Sequence, residues 1–149
     1  MADEPYAGRI EDGAHLLPIR VYYEDTDASG IVYHANYLRY FERGRTDLVR
    51  LAGVSHSELH SREVPLVFVV RRIGIEYLKP ARIDDALVVR SSLARFEGPK
   101  MVVRQQVERS VKVLARGEVE IVFVRGDGRP ARPPSDVAER LRAVFKPAS

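Results

Sequence analysis

Two aspartates one residue apart, Asp25 and Asp27, and a histidine shortly after them, His34, are the side chains of this sequence best placed for chemistry. They lie in the stretch Tyr22 to Tyr40. There a strand-like run ends at Tyr23, Ser29-Gly30 permits a sharp turn, and a helical pattern begins. A loop at the mouth of a helix sits beside backbone N–H groups that have no intrahelical partner. A carboxylate in such a loop can draw a proton from water or attack a carbonyl directly. The helix N–H groups can then hold the oxyanion that develops. The matching substrate has an electrophilic carbonyl and a good leaving group, as an ester or thioester does. The residues alone leave a plainer reading open, in which Asp25 or Asp27 caps the turn and His34 is a polar loop residue.

Metal chemistry fits less well. Asp25-Thr26-Asp27-Ala28-Ser29-Gly30 imitates the start of an EF-hand loop, but the twelfth position, which should be a bidentate glutamate, is Asn36. The preceding element also reads as a strand where an EF-hand needs a helix. His56 and His60 stand one helical turn apart, a spacing that also suits an exposed helix face. The expectation is no metal and no cofactor.

The elements that must position the loop follow from periodicity. His15 to Tyr23 reads as a strand with Leu17, Ile19, Val21 and Tyr23 on one face. Tyr37, Tyr40, Phe41, Gly44, Leu48 and Leu51 then recur at helical steps, and Gly53 supplies a stop. Gly44 within that helix costs about 1 kcal/mol relative to alanine, which predicts the close approach of a sheet. Ser55 and Glu58 are spaced as a capping box for a short helix around 55–61. Leu66 to Tyr77 reads as one long or broken strand, ended by Lys79-Pro80. Ala86 to Phe96, Met101 to Arg109 and Val113 to Arg125 follow as strands joined by short turns. A Pro-rich linker leads to a terminal helix over 135–146, and residues 1–13 read as a loose lead-in. One α+β domain spanning 1–149 is expected, an antiparallel sheet covering one long helix. Its uncovered sheet edge and helix side predict a homo-oligomer.

Composition sets the outer bounds. The 149 residues are 45% hydrophobic and 30% charged, in keeping with an ordinary globular chain. There is no cysteine, so disulfides and thiolate nucleophiles are excluded. The net charge is only +3 and the arginines are interspersed with acids, so no block marks a nucleic-acid partner. No apolar run approaches the roughly 20 residues of a membrane span. The polar start, Met1 to Glu11, has no signal-peptide core, and the expected location is the cytoplasm.

Asp25-Thr26-Asp27-x-x-Gly30-Ile31-Val32-Tyr33-His34-x-Asn36-Tyr37, followed by Tyr40-Phe41-Glu42, resembles the 4-hydroxybenzoyl-CoA thioesterase-like family, and within it the Tol–Pal-associated acyl-CoA thioesterase branch. The resemblance continues through Ile75-Glu76-Tyr77-Leu78-Lys79-Pro80-Ala81-Arg82 and Asp84-Asp85, and covers roughly residues 16–145. It implies the hotdog fold, an antiparallel sheet wrapped around one long helix, in dimers that often pair into a homotetramer. It further implies hydrolysis of an acyl-CoA thioester, with Asp27 as the catalytic carboxylate and His34 contributing its backbone N–H and its ring. Asp25 becomes the turn-holder and Glu42 a reserve carboxylate. Tyr33 and Asn36, flanking His34, are expected at the substrate. Arg71, Arg72, Arg95, Lys100 and Arg104 are candidates for the CoA phosphates, with Arg71 and Lys100 preferred. A non-catalytic binding module for an acyl-CoA or acyl carrier on the same fold is the alternative.

Overall fold

The computed structural model describes residues 3–145, so Met1, Ala2 and the end of the expected terminal helix at Lys146 lie outside the described residues. Six strands and three α-helices follow in the order β1 (Arg9–Glu11), β2 (Ala14–Arg20), α1 (Asn36–Leu51), α2 (His56–His60), β3 (Leu66–Tyr77), β4 (Ala86–Glu97), β5 (Lys100–Arg109), β6 (Lys112–Arg125) and α3 (Ser135–Val144). They build one antiparallel sheet in the spatial order β1-β2-β4-β5-β6-β3. The chain crosses from β2 through α1 and α2 to the far edge at β3, crosses back to β4 beside β2, and then runs through the β4-β5 and β5-β6 hairpins until β6 lies against β3. β3 is a single strand, with an irregularity between Val70 and Arg72.

The sheet packs on α1. Tyr40 and Phe41 on its core face are fully buried, with Tyr37 and Leu48 nearly so, among Val89, Val103, Val107 and Val119 of the sheet. Burying each such aromatic contributes about 2–3 kcal/mol. Gly44 is where the helix comes closest. A Cβ there would stand 2.9 Å from Val89 Cγ1 and 3.2 Å from Gln105 Nε2. Gln105 exploits the approach, donating to the Phe41 carbonyl and to Ser91 Oγ, 2.9 Å each, while its own oxygen accepts from Arg45. Gly53 takes φ +82 beyond the helix end, as a C′ glycine should.

Three details differ from the sequence reading. Residues 9–11 are not loose but form β1, turned back on β2 by Asp12-Gly13 with φ of 49 and 79. Such an Asp-Gly pair suits the two-residue hairpin turn that needs positive φ twice. The strand expected to reach Tyr23 stops at Arg20, and Tyr23 is 83% exposed rather than on the core face. The cause is Asp25, whose carboxylate accepts the Tyr22 N–H at 2.8 Å and draws the chain into a 3₁₀ turn. Third, α1 is fastened to β2 by a buried polar pair, with His15 Nε2 and Asp47 Oδ2 2.7 Å apart. The same Asp47 oxygen accepts the Gly8 N–H at 2.9 Å, which anchors the N-terminal segment.

Candidate active site

The Asp25–His34 loop is built by its own backbone. Thr26 and Val32 form an antiparallel bridge, Asp27 N–H donates to the Ile31 carbonyl and Tyr33 N–H to the Asp25 carbonyl. Gly30 takes φ +79 at the corner with open space around it, so a left-handed backbone is what this position requires. The loop is docked on the segment between β3 and β4 through Val32 N–H to the Ala81 carbonyl, 2.8 Å. Next to it β3 ends and β4 begins. The loop therefore sits at one end of the sheet, over the start of α1.

The two aspartates separate cleanly. Asp25 is buried; its carboxylate serves the Tyr22 N–H, and its carbonyl accepts from Tyr33 N–H and Asn36 Nδ2. Burial, reinforced by the negative charge of Asp25, pushes the Tyr40 hydroxyl well above the usual phenol range. Asp27 is exposed. Its Oδ1 accepts the Ser29 N–H at 2.8 Å, an Asx-type turn that holds the carboxylate, while among the described residues nothing engages Oδ2.

His34 is exposed at the helix mouth with its ring between those of Tyr33, at 4.6 Å, and Tyr77, at 6.2 Å. Among the described residues, the backbone N–H groups of His34 and Ala35 find no acceptor. They are the free donors of a helix start, and an anion or a polarised carbonyl is what such donors receive. A cavity of about 310 Å³ opens here, lined in part by Ile31, His34, Tyr37, Tyr77 and Lys79. Asp27 and His34 share the loop without touching one another.

The remaining expected residues fall elsewhere. Asn36 is buried, and its amide nitrogen donates to the Asp25 carbonyl at 2.8 Å, so it ties the helix to the loop instead of facing the cavity. Tyr33 is exposed beside His34. Arg71 and Lys100 converge on one carboxylate, Glu120, at 3.6 and 3.5 Å, and Lys100 opens β5 at the end of the strand away from the loop. Within one chain neither reaches Asp27 or His34. Lys79 does line the cavity and has no ion-pair partner among the described residues. It stands two residues beyond the end of β3, directly before Pro80, in a segment that the sequence reading takes as the end of the strand and as part of the family motif, without a role at the site. Glu42 lies two turns along α1, accepting from Thr46 Oγ1 at 3.2 Å, at a second cavity of about 260 Å³. That cavity is walled by Leu48, Phe68, Val70, Met101 and Ile121 and lies by the free edge strand β3.

Residues 21–141 match the thioesterase-like superfamily, and the chain belongs to it. The fold is the hotdog fold: the 4-hydroxybenzoyl CoA thioesterase from a Pseudomonas species superposes with a TM-score of 0.77 at 20% identity, covering 85% of this chain and 98% of that one. Among individual proteins, the acyl-CoA thioester hydrolase YbgC of Escherichia coli is 39% identical over 129 residues, 87% of this chain and 93% of that protein. This fits the Tol–Pal-associated branch that the loop motif resembles. A crystal structure described as a probable thioesterase from Bartonella henselae shares 37% identity and a TM-score of 0.79, over 81% of this chain and 99% of that chain. No helix among the described residues is long and apolar enough to cross a membrane.

Proposed function

We propose that this chain hydrolyses an acyl-CoA thioester, with water, to the free acid and CoA. The observation that carries the reading is the pairing at one loop of a carboxylate with an unengaged oxygen, Asp27 Oδ2, and two unpaired N–H donors at a helix start, those of His34 and Ala35. The donors polarise the thioester carbonyl and hold the oxyanion. Asp27 either takes a proton from the attacking water or adds to the carbonyl itself, and in both routes the thiolate of CoA departs. In the second route water then opens the mixed anhydride and frees the acid. In a single turnover, ¹⁸O from labelled water enters the Asp27 carboxylate only if an anhydride forms and is opened at the Asp27 carbonyl, so label there establishes that route. Asp25 and Asn36 keep the loop in place, and the His34 and Tyr33 rings border the substrate. The similarity to relatives named as acyl-CoA thioester hydrolases supports the same substrate class.

The active species is proposed to be a homo-oligomer. β3 presents a free edge of 12 residues, with Val67, Val69 and Val70 each more than a third exposed. A long apolar edge is a pairing surface, and a second copy is the partner that satisfies it by symmetry. Antiparallel pairing of two β3 edges sets the Tyr77 end of one beside the Leu66 end of the other. The Asp27 loop of one copy then faces the apolar Phe68–Val70 cavity of its partner, which would receive the acyl group. The same pairing places Arg71 near the twofold axis, where it and Lys100 could meet phosphate from the other copy's substrate. The homotetramer implied by the resemblance would add a second, separate contact. Sedimentation at micromolar concentration should report a species of at least two chains; a monomer would remove this part of the reading. A cytoplasmic location is proposed with it.

Free thiol release from a panel of short aliphatic, long aliphatic and aromatic acyl-CoA esters tests the activity. Turnover of at least one ester is expected. Tight binding with no release across the panel would favour a non-catalytic carrier of CoA esters instead. Lys79 supplies a sharper check, because among the described residues its ammonium lines the cavity without an ion-pair partner. Lys79→Ala should raise KM for acyl-CoA about three- to tenfold with kcat nearly unchanged, as loss of one charge-assisted phosphate contact predicts. An unchanged KM would move the phosphate contact elsewhere.

A further inference from the structure

Tyr77 closes β3 on the floor of the His34 cavity, 43 positions along the chain from the residue it touches. Its hydroxyl donates to the backbone carbonyl of His34 at 2.8 Å. That carbonyl has one other donor, the Tyr37 N–H at 3.4 Å, long for a helix bond. The tyrosine hydroxyl is thus the stronger hold on the peptide group between His34 and Ala35. In a trans peptide the N–H points opposite to the C=O. Pulling the His34 carbonyl toward Tyr77 therefore aims the Ala35 N–H the other way, and the Ala35 N–H is one of the two unpaired donors.

The hydroxyl is itself held in register. The Tyr77 ring packs edge-on against Tyr37 at 5.4 Å, and the Tyr37 hydroxyl accepts the Ala81 N–H at 3.2 Å. Ala81 in turn carries the loop through Val32. Burial raises the Tyr77 phenol above its ordinary value, so the hydroxyl keeps the proton it donates. The far edge of the sheet is in this way wired to the peptide that leads into α1.

We propose that Tyr77 is a positioning residue for thioester hydrolysis, its hydroxyl setting the direction of the Ala35 N–H and the seat of the His34 ring at the reacting carbonyl. This rests on the thioesterase reading and adds to it a residue from the end of β3. The role differs from plain stabilisation, because an oriented donor acts on the charge that develops in the transition state and little on ground-state binding.

The test is Tyr77→Phe in the full chain, which removes one oxygen and keeps the ring packing. With the best ester of the panel, kcat is expected to fall about tenfold while KM changes less than about twofold. Amide resonances of His34 and Ala35 should shift in the variant while those of α3 stay in place. The melting temperature is expected to move by no more than a few degrees, since the lost bond is partly exposed. An unchanged kcat in the variant, with an active wild type, overturns the proposal and leaves the thioesterase reading standing. So does a loss confined to KM, or a loss that merely tracks a lowered melting temperature. A wild-type protein that hydrolyses no ester of the panel overturns the thioesterase reading, and the role of Tyr77 falls with it.

Discussion

Asp27→Asn is expected to lower kcat on acyl-CoA by about 10²–10⁴-fold, the range that general acid–base catalysis contributes. The substitution is chosen because the turn should survive it. Asp27 Oδ1 accepts one bond, from Ser29 N–H, and an asparagine carbonyl oxygen can accept the same bond. The amide nitrogen replaces Oδ2, the oxygen that has no partner among the described residues. What disappears is the negative charge, and with it the power to take a proton or to attack carbon. KM should stay within a few-fold, since the proposed contacts of the CoA portion with Lys79 and of the acyl group with apolar walls do not involve Asp27. Asp25→Asn is the contrasting variant. Its carboxylate serves backbone, so the change should act mainly on the fold of the loop.

The second large effect is on stability. Asp47→Ala is expected to cost about 3 kcal/mol, because it leaves a buried histidine and a backbone N–H without their shared acceptor. His15 is 0% exposed and its Nδ1 already lacks a partner, so the variant would bury a ring with neither nitrogen satisfied. For a chain of this size that corresponds to a fall in Tm of about 6–12 °C, measurable by thermal or urea unfolding. Activity of the folded variant should be retained at low temperature, because Asp47 lies about 16 Å along α1 from Asn36. A pH dependence accompanies the pair. Burial holds the His15 pKa below 6.5, with Asp47 pulling the other way. The unfolded chain then takes up the proton first as pH falls, so the contribution of neutral His15 is complete above 6.5 and declines below it. The decline ends once His15 protonates in the fold as well. Melting curves that do not shift on acidification through this window would contradict the assignment.

The parts of the molecule legible in the sequence are those encoded over short distances. Gly44 announced the close approach of a sheet because a glycine inside a strong helical period needs a reason, and Val89 and Gln105 are that reason. The Asp25–His34 loop was legible because strand end, turn glycine and helix start are adjacent in the chain. The hotdog fold followed from the same motif together with the element order. The Asp12-Gly13 hairpin is equally local, but the segment before it is short and polar and carries no strand pattern of its own.

What was not legible depends on contacts between distant residues. His15 and Asp47 are 32 positions apart, and nothing in either neighbourhood marks them as partners. Tyr77 looked like the last residue of a strand, and its hydroxyl finds His34 only through the fold. The motif puts Asn36 beside the substrate, and only the fold shows its side chain donating to the Asp25 carbonyl. Charge and a place on the strands make Arg71 and Lys100 candidates for phosphate, but neither reveals that both are drawn to Glu120. Lys79 is a cation that the end of the sheet delivers to the cavity, a placement that its neighbours in sequence do not reveal.

The most direct test of the account is a single-turnover experiment with wild-type and Asp27→Asn protein in excess over one acyl-CoA ester, following free thiol and free acid together. The account predicts one equivalent each of CoA and acid from the wild type. From Asp27→Asn it predicts release at least about 100-fold slower, with the ester still bound. Equal rates from the two proteins, or a wild type that binds the ester and leaves its thioester bond intact, would contradict it.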